Sequence, residues 1–323
     1  MARLTTALPV IFCFAGQGSQ YYQMAAELMR DNTVFRHWMG VGDAIVARRH
    51  GFSVLAEIYG DDRRPGQVFE RLHASHPAIF MVQYALAKVF QHQNVRPDML
   101  LGVSLGEFTA QAVAGMMSFE TALTAIADQP ALFARTCPPG TMIAVLASPE
   151  LHARSAVLTA TSEIAGVNSA GHFILSALAD DLPRIEAELK AAEVAFQRLP
   201  VPFAFHSRFI DAAAAQCRAA AAGQRRETPF WPLWSCCAGA TVGPDTVDLS
   251  WRIVRDSMNV RPVIATLEAQ GGAVYVDLSP SGTLAALFRQ SLGPNSPSKL
   301  LSVLSPFGGD GKRLAATLAA LAA

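Results

Sequence analysis

The chain of 323 residues lacks an excess of charge, 26 Lys and Arg standing against 26 Asp and Glu. A protein that grips nucleic acid normally carries a basic surplus, so that class is set aside. An acidic partner would have to be met by a local patch of Lys and Arg. Long hydrophobic runs are also missing. Met1 to Pro9 holds one arginine and a short apolar stretch leading into Val10–Phe14. That is too short to span a bilayer and has no leader-cleavage pattern, so a soluble cytoplasmic protein without a membrane partner is expected. The five cysteines have no regular spacing, which points to reduced thiols rather than a disulfide framework. Cys236 and Cys237 are adjacent but have no neighbouring His or Cys, so no metal site is expected. Internal repeats are absent, and the alanine-rich stretches 212–222 and 315–323 read as plain helix formers. What is present is apolar substance: 51% of the residues are hydrophobic, enough for one large or two modest domains.

The most informative stretch runs from Met99 to Glu107 and reads as a buried strand turning sharply at Ser104 into a helix. Gly102, Ser104 and Gly106 match G-x-S-x-G, the elbow in which a tight turn lifts a serine hydroxyl out of the fold. The following helix aims its free N–H groups at the place where an oxyanion would form. Around it, Val10–Phe14 reads as a strand ending in the polar loop Gly16-Gln17-Gly18-Ser19-Gln20. Helices are expected over Tyr22–Arg30, Ala78–Val89 (with Pro77 in its first turn), Glu107–Met117 and Phe119–Arg135. After Gly140 the pattern becomes strand Met142–Ala147, helix Ser148–Thr161, strands Ile164–Asn168 and Phe173–Ser176, helix Asp181–Ala192 and strand Ala195–Leu199. That β-α-β-β-α-β order is the ferredoxin-like split pattern, compact enough for an inserted subdomain. Helices near Arg208–Ala222, Leu249–Asn259, Val263–Gln270 and Thr283–Ser291 and strands at Pro232–Cys237 and Ala273–Leu278 complete the larger pattern.

A serine nucleophile needs a base, and histidine suits neutral pH. His37, His50, His92 and His152 sit in polar or helical-face contexts and read as surface residues. His206 differs, because an apolar segment, Val201 to Phe205, ends on it just before Ser207-Arg208. Such a segment can present an imidazole at a pocket edge. From spacing alone, a core histidine satisfied by its neighbours is the stronger reading.

The motifs Phe14–Gln20, Gly102–Glu107, Asn168-Ser169, Phe203–Ser207 and Asp277–Pro280 are together similar to the malonyl-CoA:acyl carrier protein transacylase family. That family includes the acyltransferases of polyketide synthases, and the five motifs occur here in its order. The resemblance implies an α/β fold, with an α/β-hydrolase-like large domain (1–140 and 206–323) and an inserted ferredoxin-like small subdomain (141–205). It implies Ser104 as nucleophile, His206 as its base, and Gln17 with the Leu105 N–H as the oxyanion hole. A main-chain carbonyl near Asn259 to Pro262, rather than an aspartate, is expected to orient the histidine; Asp211 is the nearest acidic candidate. No permanently bound cofactor is expected. The substrate would be an acyl-phosphopantetheine thioester on acyl carrier protein or coenzyme A, the partner an acyl carrier protein, and the chain a monomer. Arg208, Arg225, Arg226 and Lys190 are candidates for a basic strip facing that acidic partner.

Two departures from the family matter. The elbow of the family usually carries a histidine before the serine, where this chain has Val103, which makes the pocket more apolar. Malonyl-transferring members carry an arginine about 25 residues after the serine, where this chain has Gln129. An arginine fork pairs a carboxylate in two-point geometry. A neutral glutamine cannot, and leaving the charge unpaired in a desolvated pocket would cost several kcal/mol. Asp128 next door would add repulsion, and Arg135 substitutes only if the register moves by more than a helical turn. Phe203, Phe205, His76 and Asn168 are further candidates for the substrate pocket, while His172 is expected to face solvent. The pattern resembles the free-standing acyl hydrolases and acyltransferases that serve trans-acyltransferase polyketide synthases. The expected function is therefore acyl-serine chemistry on non-carboxylated acyl groups, with editing by hydrolysis. A malonyl transacylase with an unusual carboxylate site and an inactive carrier-protein binding module are the alternatives.

Overall fold

Ile11, Phe12, Cys13 and Phe14 are each fully buried, as a strand covered by helices on both faces requires. They belong to β1 (Val10–Phe14), near the middle of a six-stranded sheet in a computed structural model that describes residues 8–322. The chain continues through α1 (Ala26–Asp31), α2 (Thr33–His50), α3 (Val54–Tyr59) and α4 (Leu72–His92) to β2 (Met99–Gly102), α5 (Gly106–Val113) and α6 (Phe119–Thr136). Next come β3 (Gly140–Val145), α7 (Glu150–Arg154), α8 (Ala156–Thr161), β4 (Ser162–Ser169), β5 (His172–Leu178), α9 (Leu182–Ala191) and β6 (Phe196–Arg198). The last part holds α10 (Ala214–Ala221), β7 (Leu233–Ser235), β8 (Ala240–Val242), α11 (Leu249–Arg255) and β9 (Met258–Asn259). It ends with α12 (Arg261–Ala269), β10 (Val274–Asp277), α13 (Thr283–Arg289), β11 (Lys299–Ser302) and α14 (Asp310–Ala322). Most of the leading stretch Met1 to Pro9 and the final alanine lie outside the described residues. Among the described residues, no helix is long and apolar enough to cross a membrane.

The large sheet has the order β11-β10-β1-β2-β7-β8, parallel except for β8 at its edge. In such sheets the crevice beyond the carboxyl ends of the strands is the natural binding place. Phe14 pairs with Gly102, so the loops leaving β1 and β2 emerge side by side. The small sheet runs β6-β3-β5-β4, the order of a ferredoxin-like fold, with β9 added alongside β4. One face carries Ile143, Val145, Phe173 and Leu175, packed with Leu158, Ile185 and Leu189 into a separate apolar core. Because side chains alternate along a strand, Met142, Ala144 and Ile174 face the other way, toward the large sheet's crevice.

Several sequence expectations shift. α4 begins at Leu72, so Pro77 lies inside it rather than in its first turn. There it deletes one i to i−4 hydrogen bond, a loss borne by a helix buried along nearly its whole length. The single helix read over Ser148–Thr161 is two, because Ser155 stops α7 and caps α8 by accepting from the Leu158 N–H at 3.1 Å. The helix read to Asn259 stops at Arg255, and Met258–Asn259 pairs with β4 instead. α1 starts four residues later than read, after Ala25 in a left-handed conformation.

Candidate active site

The elbow is built by close backbone approach. A Cβ on Gly106 would collide with the Phe14 carbonyl, and one on Gly16 would lie 2.9 Å from the Ser104 Cβ. The Val103 N–H donates to the Phe14 carbonyl at 2.9 Å, fastening the β2 exit to β1. Ser104 is held at φ 54°, a left-handed conformation that a non-glycine residue adopts only when its surroundings impose it. His206 shares this property at φ 60°, and its N–H donates to the Val254 carbonyl at 2.8 Å. Both side chains of the pair therefore rest on strained backbone.

The hydroxyl of Ser104 lies 2.8 Å from Nε2 of His206, and Nδ1 of the same ring lies 2.9 Å from the Asp256 carbonyl oxygen. A carbonyl can only accept, so Nδ1 carries the proton and Nε2 is left to accept from the serine. Burial pulls the His206 pKa down to about 4, against the opposing pull of the Asp256 carbonyl. The imidazole is thus neutral near pH 7, the state a general base needs. The orienting carbonyl is that of Asp256, three residues before the expected Asn259 to Pro262, because α11 ends at Arg255. Asp211 is not involved; its carboxylate pairs with Arg255 at 2.5 Å.

Leu105 stands at the start of α5, and its main-chain N–H, like that of Gln17, meets no acceptor among the described residues. The Gln17 side chain is otherwise engaged, its Nε2 donating to Ser75 Oγ at 2.9 Å. The donor this residue keeps free is its main-chain N–H. The loop carrying it is clamped by Gln83, fully buried in α4. Gln83 Oε1 accepts from the Ala15 N–H at 2.7 Å, and Gln83 Nε2 donates to the Ala15 carbonyl at 3.0 Å. Sequence reading passed over Gln83, although a lone amide within the apolar run Ala78 to Phe90 is a signal of such a clamp.

A cavity of about 520 Å³ opens over this pair, lined by Gln17, Val103, Ser104, Leu105, His76, Gln129, Asn168, Phe205 and His206 among others. Phe203 does not reach its wall; it packs against Phe133 and Phe205, each at 5.9 Å between ring centres, and supports Phe205 from behind. His172 does line the cavity, contrary to expectation. Phe173 and Leu175 fill the small core, so alternation along β5 turns His172 and Ile174 to the crevice. Burial lowers the His76 pKa to about 3, and its Nδ1 is buried without a partner. The far wall comes from Leu284 and Leu287 of α13. None of the lining residues carries a formal charge at neutral pH. Asp128, expected beside the acyl site, turns away and pairs with Arg49 at 2.6 Å, while Arg135 is exposed and outside the lining.

The basic candidates are mostly engaged within the chain. Arg208 pairs with Glu163 at 2.5 Å, Arg225 with Glu227, and Arg226 donates to Ser250 Oγ at 2.9 Å; Lys190 is exposed on α9. Among the described residues, no group of three or more His, Cys, Asp or Glu is placed to hold a metal ion.

This is the class of α/β-hydrolase-like proteins with a Ser–His pair, the serine on a strand-to-helix elbow, and a ferredoxin-like subdomain beside it. The family described as acyl transferase domain matches residues 11–320. The polyketide biosynthesis acyltransferase homolog PksD of Bacillus subtilis is 39% identical over 306 residues, covering 95% of this chain and 94% of that one. Its counterpart BaeD of Bacillus velezensis is 38% identical over 299 residues, covering 93% and 92%. Among solved structures, the acyl transferase domain of SpnD in complex with 2-(pent-4-yn-1-yl)malonyl superposes with a TM-score of 0.88. It is 27% identical, over 98% of this chain and 76% of that one. The chain belongs to the acyl transferase family.

Proposed function

We propose that the protein forms an acyl ester on Ser104 from acyl carrier protein thioesters, prefers non-carboxylated acyl groups, and releases them mainly to water. In the first half-reaction, Nε2 of His206 takes the Ser104 proton while Oγ attacks the thioester carbonyl. The N–H groups of Leu105 and Gln17 receive the oxyanion. The C–S bond then breaks, and the departing thiolate takes the proton back from His206. In the second half, His206 deprotonates water, the ester carbonyl is attacked, and Ser104 leaves with that proton as the free acid departs. A carrier-protein thiol in place of water makes the same machinery a transferase. The observation that carries the preference is the uncharged lining, with Gln129 where a cation would be needed to hold a carboxylate. The separate core of β3 to β6 supports a small subdomain at 141–205, set into a large one at 1–140 and 206–323. Service to a polyketide synthase is supported by the identity to PksD and BaeD, each named a polyketide biosynthesis acyltransferase homolog; proofreading by hydrolysis is the part of the proposal that the released-acid assay tests.

The test is acylation from acetyl- and malonyl-carrier protein, scored by intact mass and by released acid. The wild type should load and release acetyl and load malonyl poorly. Gln129→Arg should raise malonyl loading by about 10-fold or more, since a charged hydrogen bond contributes about 1.5–3 kcal/mol. Equal wild-type loading of malonyl and acetyl, unchanged by Gln129→Arg, refutes the preference. Survival of activity in Ser104→Ala removes the acyl-serine itself.

A further inference from the structure

Behind the active-site cavity lies a second one of about 530 Å³, and Gln129 and Val254 line both. The second cavity rests on a single stripe of α6, where Thr121, Thr124, Asp128 and Leu132 follow the three- and four-residue spacing of one helix face. Ala221 of α10 and Ser250 of α11 stand among its other walls. Its chemistry is mixed: Phe108, Ala125 and Leu132 stand beside the hydroxyls of Thr121, Thr124 and Ser250, and its charged members Asp128 and Glu120 are paired with Arg49 and Arg48. Gln224 also lines it, with Oε1 buried and without a hydrogen-bond partner. A buried acceptor left unpaired keeps its desolvation penalty uncompensated, so this atom marks a place for a donor from a ligand.

The wall residues the two spaces have in common are one neutral amide side chain and one valine. The valine also stands close to the reacting atoms, since the Val254 carbonyl accepts from the His206 N–H at 2.8 Å. A thioester arm must fill the mouth of the first cavity while its acyl group reaches Ser104. A tail that outgrows the first cavity has to leave by another side, and a second space begins at Gln129 and Val254.

We propose that the second cavity is the distal acyl subsite, which receives long tails passing between Gln129 and Val254 and favours tails that carry hydroxyl groups. The apolar walls take the methylenes, and the unpaired Gln224 Oε1 accepts from a tail hydroxyl. This inference rests on the acyl-Ser104 reading and assigns its substrates: extended, hydroxylated acyl chains in addition to short ones.

The experiment compares acetyl, decanoyl and terminally hydroxylated decanoyl thioesters of N-acetylcysteamine in the wild type, Thr124→Trp and Ala221→Trp. Each indole enters the second cavity from a different wall, and neither residue lines the first. In the wild type the hydroxylated chain should exceed decanoyl in kcat/KM. In each variant the ratio of either long chain to acetyl should drop by about 10-fold or more, the scale of pocket discrimination against a misfitting chain. Taking the ratio within one protein cancels any loss of folded material. An unchanged ratio in both variants overturns the distal subsite, as does a wild type that hydrolyses acetyl but neither long chain. A wild type that forms no acyl-Ser104 by intact mass with any thioester overturns the catalytic reading instead.

Discussion

Gln83→Leu removes hydrogen-bonding capacity while nearly preserving volume, so its cost isolates the clamp on the loop that leaves β1. Both Ala15 main-chain groups, which Gln83 satisfies at 2.7 and 3.0 Å, would be left buried beside an apolar side chain. Each unpaired group costs about 1–3 kcal/mol, so the variant should lose about 2–6 kcal/mol of folding stability. Against the about 5–15 kcal/mol that holds a domain folded, that is a large fraction. Gln83→Glu should fall between, because a carboxylate still accepts from the Ala15 N–H but cannot donate to its carbonyl. The loop also carries Gln17 two residues on, and a misplacement of 1 Å in a catalytic group costs about 10²-fold. Urea unfolding followed by tryptophan fluorescence gives the stability, and stopped-flow release of thiol gives acylation at temperatures where the variant is folded. A loss under about 1 kcal/mol together with wild-type acylation would refute both the clamp and its link to the proposed oxyanion site.

Four further outcomes follow from the same geometry. Asp256→Asn should keep kcat within about 3-fold, because His206 is oriented by a main-chain carbonyl; loss near the about 10⁴-fold seen when a triad aspartate is replaced would mean the carboxylate acts. The base must be neutral, and burial depresses its pKa to about 4. The acid limb of kcat/KM should accordingly fall near pH 4 rather than 6.5, as a pH–rate profile would show. The same depression makes the unfolded chain bind a proton near pH 6.5 that the native state refuses, so His206 lowers stability as pH falls below that value. Gly106→Ala forces a methyl into the Phe14 carbonyl and should cost about 1–3 kcal/mol, read as a lowered Tm, with loss of acylation as the elbow shifts.

The elbow was legible because a tight strand-to-helix turn demands glycines at fixed offsets, and local demands leave local traces. The β-α-β-β-α-β order of the small subdomain was legible for a similar reason: alternation and helical spacing change at each boundary. His206 needed its motif, since an imidazole after an apolar run has no signature of its own. Other parts of the site were hidden for identifiable reasons. The Asp256 carbonyl has no side-chain identity to read. His172 faces the cavity through strand parity, which becomes decisive only once Phe173 and Leu175 are known to fill the core beneath. Phe203 and Phe205 look equivalent in sequence, yet Phe203 is spent on propping its neighbour. Leu284 and Leu287 reach the cavity from α13, far along the chain, and nothing local announces them. Asp128, next to Gln129 in sequence, is claimed by Arg49 of α2, a partner 79 residues away that nothing local announces.

The atom that steadies His206 is encoded by no codon. Every amino acid at position 256 would bring a carbonyl oxygen, so point substitutions there leave the oxygen in place and act only on the path of the chain. That path is short, running from the end of α11 to β9, and its placement depends on the number of residues between them. Inheritance of this part of the machinery is thus exposed to insertions and deletions rather than to substitutions. A one-residue change of length between Arg255 and Met258 should silence the protein more surely than any replacement within it.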